Sequence, residues 1–348
     1  MQKAMAPQNF ELSLVLGGGN ALGAYHLGVC QRLFELDLVP ARIVGASIGA
    51  VTGAILAGNP PDRRLERLHE FWDLAAQIDT PLPGSTFQDA RARQSQAHGL
   101  NALAFGRPGL FNARLPGAWS LLPGALPDRA LQDHRAMAGT LERLIDFDLL
   151  NSAKLPLAIL ALDMENGQEI WFDTTEREVE PLHLLASTAF APLFPPIEVD
   201  GRLLCDPGFA NNVPLDCIFQ QASGRPVLCL AVDLFSIDHG RPNTIDETLA
   251  RVQDLAFASQ THRSIAALRR ERELQRQVDP DLPPAILAHL AYRAPGHQRG
   301  LKSLDFSQTS LDERIEQGIA DVNALLPQLA QAARDQALAY VSSAAAAS

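Results

Sequence analysis

Short apolar runs alternate along the chain with longer stretches in which apolar residues return every three or four positions, and glycine-rich turns separate the two. Glu11–Leu16 (ELSLVL) predicts a strand, and residues 21–36, entered through Gly17, Gly18, Gly19 and Asn20, predict a helix. Arg42, Ile43 and Val44 predict a second strand. It leads through Gly45-Ala46-Ser47-Ile48-Gly49 into small and apolar residues that continue as a buried helix to Gly58. Two consecutive strand-helix units imply adjacent parallel strands, with both following loops at one edge of the sheet. The glycine loop is therefore expected beside Ser47.

Residues 63–78 carry a helical repeat of Leu65, Leu68, Phe71, Trp72 and Leu74. Residues 79–129 break the pattern: proline and glycine punctuate them while Phe87, Phe105, Phe111, Trp119 and Leu121 interleave. A stretch of this kind predicts a lid, cap or interfacial surface, or else an insertion that packs on the body. A helix over 137–150, a buried strand over 155–162, a hairpin turn at Asn166-Gly167 and a short helix over 182–189 follow. Residues 197–204 predict a second hairpin, which delivers Asp206 into an Asp206-Pro207-Gly208 turn. Beyond it the pattern predicts a core strand at 226–233, a long helix at 244–278 with a solvated mixed-charge face, a strand at 284–293, a helix at 311–340 and a frayed end. The expected organisation is a main domain over 10–243, with 79–129 as its insertion, and a mostly helical extension over 244–348 packed on it.

Composition adds three constraints. A hydrophobic content of 47% with 20% charged residues is that of a well-buried globular protein. A net charge of −11 excludes a general nucleic-acid binder, which needs clustered cations to neutralise phosphates, but leaves room for a local patch that meets a membrane. Cys30, Cys205, Cys217 and Cys229 lie in apolar contexts without a Cys-x-x-Cys pair and are expected as buried, reduced thiols. No apolar run is long enough to span a bilayer and residues 1–10 lack a leader pattern, so a cytoplasmic protein, peripheral to membrane, is expected. No close ligand cluster is present, and neither a metal nor a cofactor is expected.

Gly-x-Ser-x-Gly between a strand and a helix is the layout of a nucleophile elbow. The serine hydroxyl stands at the tip of a strained turn, and Gly45 and Gly49 remove β-carbons that would collide there. Ser47 is the candidate nucleophile. The glycine loop exposes backbone N–H groups at a helix start and suits an anion, either a phosphate or an oxyanion that forms only in a transition state. Asp206 reads equally as a turn former or a functional carboxylate. Chain order permits a Ser47, Asp206, His239 triad, yet only one predicted strand precedes the elbow, where an α/β-hydrolase sheet normally has several.

Four segments in order, LVLGGGNALGAYHLGV, GASIGAVTGAILAG, STAFAPLFPPIEVDG and DPGFANNVPL, resemble the patatin-like phospholipases over roughly residues 11–235, and the sequence past 244 is similar to a bacterial subgroup with a carboxyl-terminal extension. The resemblance implies a three-layer α/β/α fold with a mostly parallel central sheet. It also implies a Ser47-Asp206 dyad in place of a triad, with an oxyanion hole at Gly18, Gly19 and Asn20. The implied activity is hydrolysis of a lipid or acyl ester at a membrane or lipid interface. Two departures stand out: Asn20 and Leu22 replace the family's glycine and basic residue, and Pro207 replaces the glycine after the aspartate. They raise the alternative of an inactive lipid- or acyl-binding protein, and the chain order Ser47, Asp206, His239 leaves a Ser-His-Asp esterase as the other.

Overall fold

A computed structural model describes residues 10–79, 87–220, 224–238, 240–332 and 337–343. Its centre is a nine-stranded sheet. From one edge, Leu338–Ser342, Ala285–Ala291, Val227–Asp233, β1 (Glu11–Leu16), β2 (Arg42–Ala46) and Leu157–Asp163 run parallel. Arg202–Cys205 and Ile197–Val199 complete the other side antiparallel, and Glu169–Asp173 pairs with Leu157–Asp163 through the expected hairpin.

Period-two alternation splits each central strand between two cores. Leu14 and Leu16, Leu228 and Leu230, and Ile286 and Ala288 face one side, which α1 (Ala24–Glu35), α2 (Ile48–Ala57) and the Gln308–Gln331 helix cover. Val15, Cys229, Ala231 and Leu287 face the other, against Ile265 and Leu268 of the Ile245–Val278 helix. Apolar faces on both sides of a mostly parallel sheet produce the three layers. All four cysteines are free, and burial raises each thiol above its ordinary value.

The structure departs from the sequence pattern in three places. The helix expected over 311–340 ends at Gln331, and Leu338–Ser342 is instead an edge strand in parallel register with Ala285–Ala291. The alanine-rich run has good helical propensity, but an open sheet edge offers a ladder of backbone partners that outweighs it. The stretch 79–129 contains a 19-residue helix, Phe87–Phe105, whose apolar residues form no stripe to betray it. The helix expected over 137–150 is two, because Asp146 accepts a hydrogen bond from the Leu149 N–H and starts a new one.

The Gln308–Gln331 helix crosses α1 backbone to backbone at Gly28 and Gly318. A β-carbon at Gly28 would overlap the Ile315 carbonyl, and one at Gly318 would lie 2.5 Å from the Tyr25 carbonyl oxygen. Gly28→Ala must therefore force the helices apart, at a cost of about 3 kcal/mol or more. Gly139, exposed in a helix with open space around it, is the contrasting site: Gly139→Ala should stabilise by roughly 0.5–1 kcal/mol. Urea unfolding of both variants against the parent chain checks the pair.

Candidate active site

Ser47 stands between β2 and α2 with φ 55° and ψ −126°, a left-handed conformation that a serine adopts only when its surroundings impose it. Those surroundings are glycines. A β-carbon at Gly45 would lie 2.5 Å from the backbone of Ala50, and one at Gly49 would overlap the Leu16 carbonyl of the neighbouring strand. From below, the Ser47 N–H donates to Ser187 Oγ at 2.9 Å, and that hydroxyl donates in turn to the Leu160 carbonyl at 2.7 Å. The turn is thereby tied to the next strand of the sheet.

The glycine loop leaves β1 at the same sheet edge. A β-carbon at Gly18 would sit 3.0 Å from Ser47 Cβ, so the two loops touch as their order along the sheet requires. Gly18 is held on both sides by Asn212: its N–H donates to the Asn212 carbonyl at 3.2 Å, and Asn212 Nδ2 donates to its carbonyl at 3.2 Å. The Gly18 N–H is therefore engaged. Among the described residues the N–H groups of Gly19 and Asn20 have no acceptor, and Asn20 adopts φ 54°, a value asparagine tolerates better than most residues. Leu22 is fully buried. Behind it, the buried Arg314 guanidinium donates to the carbonyls of Ala21 at 3.0 Å, Asp305 at 2.8 Å and Lys302 at 2.9 Å, so a cation from the Gln308–Gln331 helix braces the loop from inside the protein.

Asp206 follows the Arg202–Cys205 strand and is 2% exposed. Its Oδ1 accepts the Gly208 N–H at 2.8 Å, and its own N–H donates to the Ala189 carbonyl at 3.0 Å. Pro207 opens the short Pro207–Phe209 turn, a position where a fixed φ is favourable and a missing N–H leaves no partner wanting. The carboxylate draws its backbone donor from residue 208, so proline at 207 is accommodated. Gln260 of the Ile245–Val278 helix clamps this turn to the glycine loop's partner: its Nε2 donates to the Gly208 carbonyl at 3.0 Å and its Oε1 accepts the Asn212 N–H at 3.1 Å. Burial pushes the Asp206 carboxyl up to about 6, against the opposing pull of the neighbouring Ser47 hydroxyl and of the hydrogen bond from the Gly208 N–H.

Ser47, Asp206, Gly19 and Asn20 form the polar end of a cavity of about 370 Å³ whose remaining wall is largely aromatic and aliphatic, including Trp72, Phe111, Phe190, Phe194, Phe235 and Phe257. Phe111 comes from the 79–129 insertion and Phe257 from the long helix beyond residue 244. His134 also borders the cavity; its Nε2 pairs with the Leu185 carbonyl at 2.9 Å, and burial lowers its pKa. His26, inside α1, is pushed down to about 3 by burial, as a core histidine should be. His239 lies outside the described residues. Among those described, no group of three or more metal-ligating side chains occurs, and no helix is long and apolar enough to cross a membrane.

Ser187, Asn212, Gln260 and Arg314 are site residues that pattern reading did not single out. Asn212 belongs to the DPGFANNVPL segment and was within reach; Gln260 and Arg314 sit in helices whose periodicity reads as ordinary packing and solvated charge.

Residues 14–217 match the family model described as patatin-like phospholipase, and residues 281–337 match one described as patatin phospholipase. An uncharacterized NTE family protein of Mycobacterium bovis is 26% identical over 246 residues, 69% of this chain and 55% of that protein. The lysophospholipase NTE1 of Candida glabrata is 26% identical over 247 residues, covering 68% of this chain and 11% of that one. The chain thus spans about half the length, or less, of these curated relatives. Human GIVD cytosolic phospholipase A2 aligns in structure with 92% of this chain and 60% of its own, at a TM-score of 0.42 and 14% identity.

The raised Asp206 pKa has a stability consequence. Its folded value of about 6 lies above the ordinary 3.8, so the favourable contribution is complete below the ordinary value and is lost as pH rises through 6. At neutral and alkaline pH the ionised carboxylate destabilises the fold by about 3 kcal/mol. Asp206→Asn should melt above the parent chain at alkaline pH, and the gap should close below about pH 4 when melting curves are compared across the range.

Proposed function

The chain belongs to the patatin-like phospholipase family, and from that membership we propose that it is a serine lipid acyl hydrolase of the phospholipase A or lysophospholipase type, acting through a Ser47-Asp206 dyad. The observation that carries this reading is the meeting of a strained serine and a buried, weakly acidic carboxylate at the head of an apolar cavity. A carboxylate near its reference pKa is a poor base, and one raised to about 6 accepts a serine proton with less driving force lost.

In the proposed sequence Ser47 Oγ attacks the ester carbonyl as its proton passes to Asp206. The N–H groups of Gly19 and Asn20 stabilise the tetrahedral oxyanion, while Gly18 serves the loop's shape through Asn212. Asp206 returns the proton to the departing alcohol, which leaves an acyl-enzyme on Ser47. Asp206 then deprotonates a water that attacks the acyl carbonyl; the fatty acid leaves and Ser47 is restored. The apolar wall holds the acyl chain. Gln253, Phe257, Gln260 and Arg314 all build the site or its supports, so we place the catalytic unit across residue 243 and do not confine it to 10–243.

Labelling with a fluorophosphonate, which is attacked by an activated serine, tests the nucleophile without a chosen substrate. The parent chain should label and Ser47→Ala should not. Asp206→Asn should lose about 10³-fold in ester turnover while staying folded. The kcat/KM of the parent chain should climb with pH through about 6, where Asp206 ionises, and level off above it. A folded parent chain that never labels, with lipid present, would favour a binding protein; a pH-independent kcat/KM across that range would remove Asp206 as base.

A further inference from the structure

Residues 115–127, LPGAWSLLPGALP, carry no charge, and they lie between Arg114 and Asp128. Leu115, Trp119, Leu121, Leu122 and Leu126 leave 55–86% of their surfaces exposed. Apolar side chains this exposed and this concentrated mark an interaction surface. The loop is held out from the body at its base. Arg114 Nε and Nη2 donate to the Asp128 carboxylate at 2.8–3.2 Å, and Asp128 Oδ2 also accepts the Gly117 N–H at 3.0 Å. The staple makes the apolar tip a pre-formed projection.

Its position ties it to the cavity. The Leu131 N–H donates to the Pro192 carbonyl at 3.0 Å and the Gln132 N–H to that of Leu193 at 2.8 Å, while Leu193 and Phe194 form part of the cavity wall. On the other arm of the loop, Phe111 enters the same wall. The charge flanking the tip is opposite in sign to the chain's. Arg107 is turned inward onto the carbonyls of Ala75 and Ala76, but over residues 114–135 the arginines 114, 129 and 135 still outnumber Asp128 and Asp133, with which Arg114 and Arg135 pair, although the net charge of the whole chain is −11. An uncharged tip with a tryptophan, a flank with a net positive charge and an adjacent acyl cavity fit an anionic lipid surface. A two-fold contact with a second copy would set two net-positive flanks against each other.

We propose that residues 115–127 insert into the interface of an anionic phospholipid bilayer and dock the cavity on it. This deepens the acyl-hydrolase reading and rests on it for the cavity's role, but the docking is tested separately. The full chain and a Trp119→Ser, Leu121→Ser, Leu122→Ser variant are floated with vesicles of equal parts phosphatidylglycerol and phosphatidylcholine, and with vesicles of phosphatidylcholine alone. Since the substituted side chains are exposed, melting temperature should be unchanged. The parent chain should float with the anionic vesicles, and less with the neutral ones. The variant should lose about tenfold or more of its vesicle affinity, while its fluorophosphonate labelling and its turnover of a water-soluble short-chain ester stay at the parent's level. Equal flotation of parent and variant would overturn the docking role, as would no preference for anionic vesicles. So would a parent chain that sediments as a dimer which the substitutions dissociate, since the surface would then belong to a second copy. Loss of labelling in both chains with loop-dependent flotation intact would sink the hydrolase reading and leave the docking standing.

Discussion

The site depends on a steric constraint more than on any single attraction. Ser47 holds a positive φ because β2, α2 and the glycine loop converge with no room for side chains between them: Gly45 lies against Ala50, Gly49 against the Leu16 carbonyl, and Gly18 against Ser47 itself. A β-carbon at any of these would push the strand from the helix or one loop from the other. The strain is borne by the parallel register of β1 and β2 and by the Ser187 hydroxyl, which fills the Ser47 N–H from the far side.

The remaining geometry is supplied from far along the chain. Gln260 joins the Asp206 turn to Asn212, and Asn212 joins it to Gly18, so one hydrogen-bonded path runs from the long helix through the Asp206 turn to the loop beside Ser47. Arg314 does the same work behind the loop, where the carbonyls of Ala21, Lys302 and Asp305 and the Gln298 amide oxygen accept from its buried guanidinium. The close crossing at Gly28 and Gly318 is what lets the Gln308–Gln331 helix lie deep enough for Arg314 to reach Ala21. Leu22, next to the Ala21 carbonyl that Arg314 binds, is fully buried and belongs to the core.

What was legible in the sequence is what depends on local chemistry. β1, β2 and α2 follow from short apolar runs and glycine spacing, and the adjacency of the two loops follows from the handedness of consecutive strand-helix units. Asp206 was legible as a residue delivered by a hairpin into a turn, and its raised pKa was not, because that depends on burial by distant segments. The edge strand Leu338–Ser342 was hidden for the same reason. It follows an alanine-rich run that suits a helix, and the exposed ladder of Ala285–Ala291, residues remote in sequence, pairs Leu338, Tyr340 and Val341 into a strand instead. The Phe87–Phe105 helix lacked a stripe because glutamine, arginine and alanine, good helix formers without amphipathic order, make up much of it.

The two departures from the family pattern then have a common physical reading. Pro207 removes an N–H from the Asp206 turn, yet the carboxylate takes its backbone donor from Gly208, and proline fixes the φ that starts the turn. Asn20 replaces a glycine at a positive φ, where it is among the best tolerated residues. Both changes preserve backbone direction while reducing the loop's freedom in the unfolded chain, which favours the folded loop entropically. A site that buries an ionisable carboxylate works against its own stability, and stiffened loops together with the Gln260 and Arg314 braces oppose that loss. The parts of the chain that never approach a reacting atom are therefore the ones that allow Asp206 to stay buried and weakly acidic.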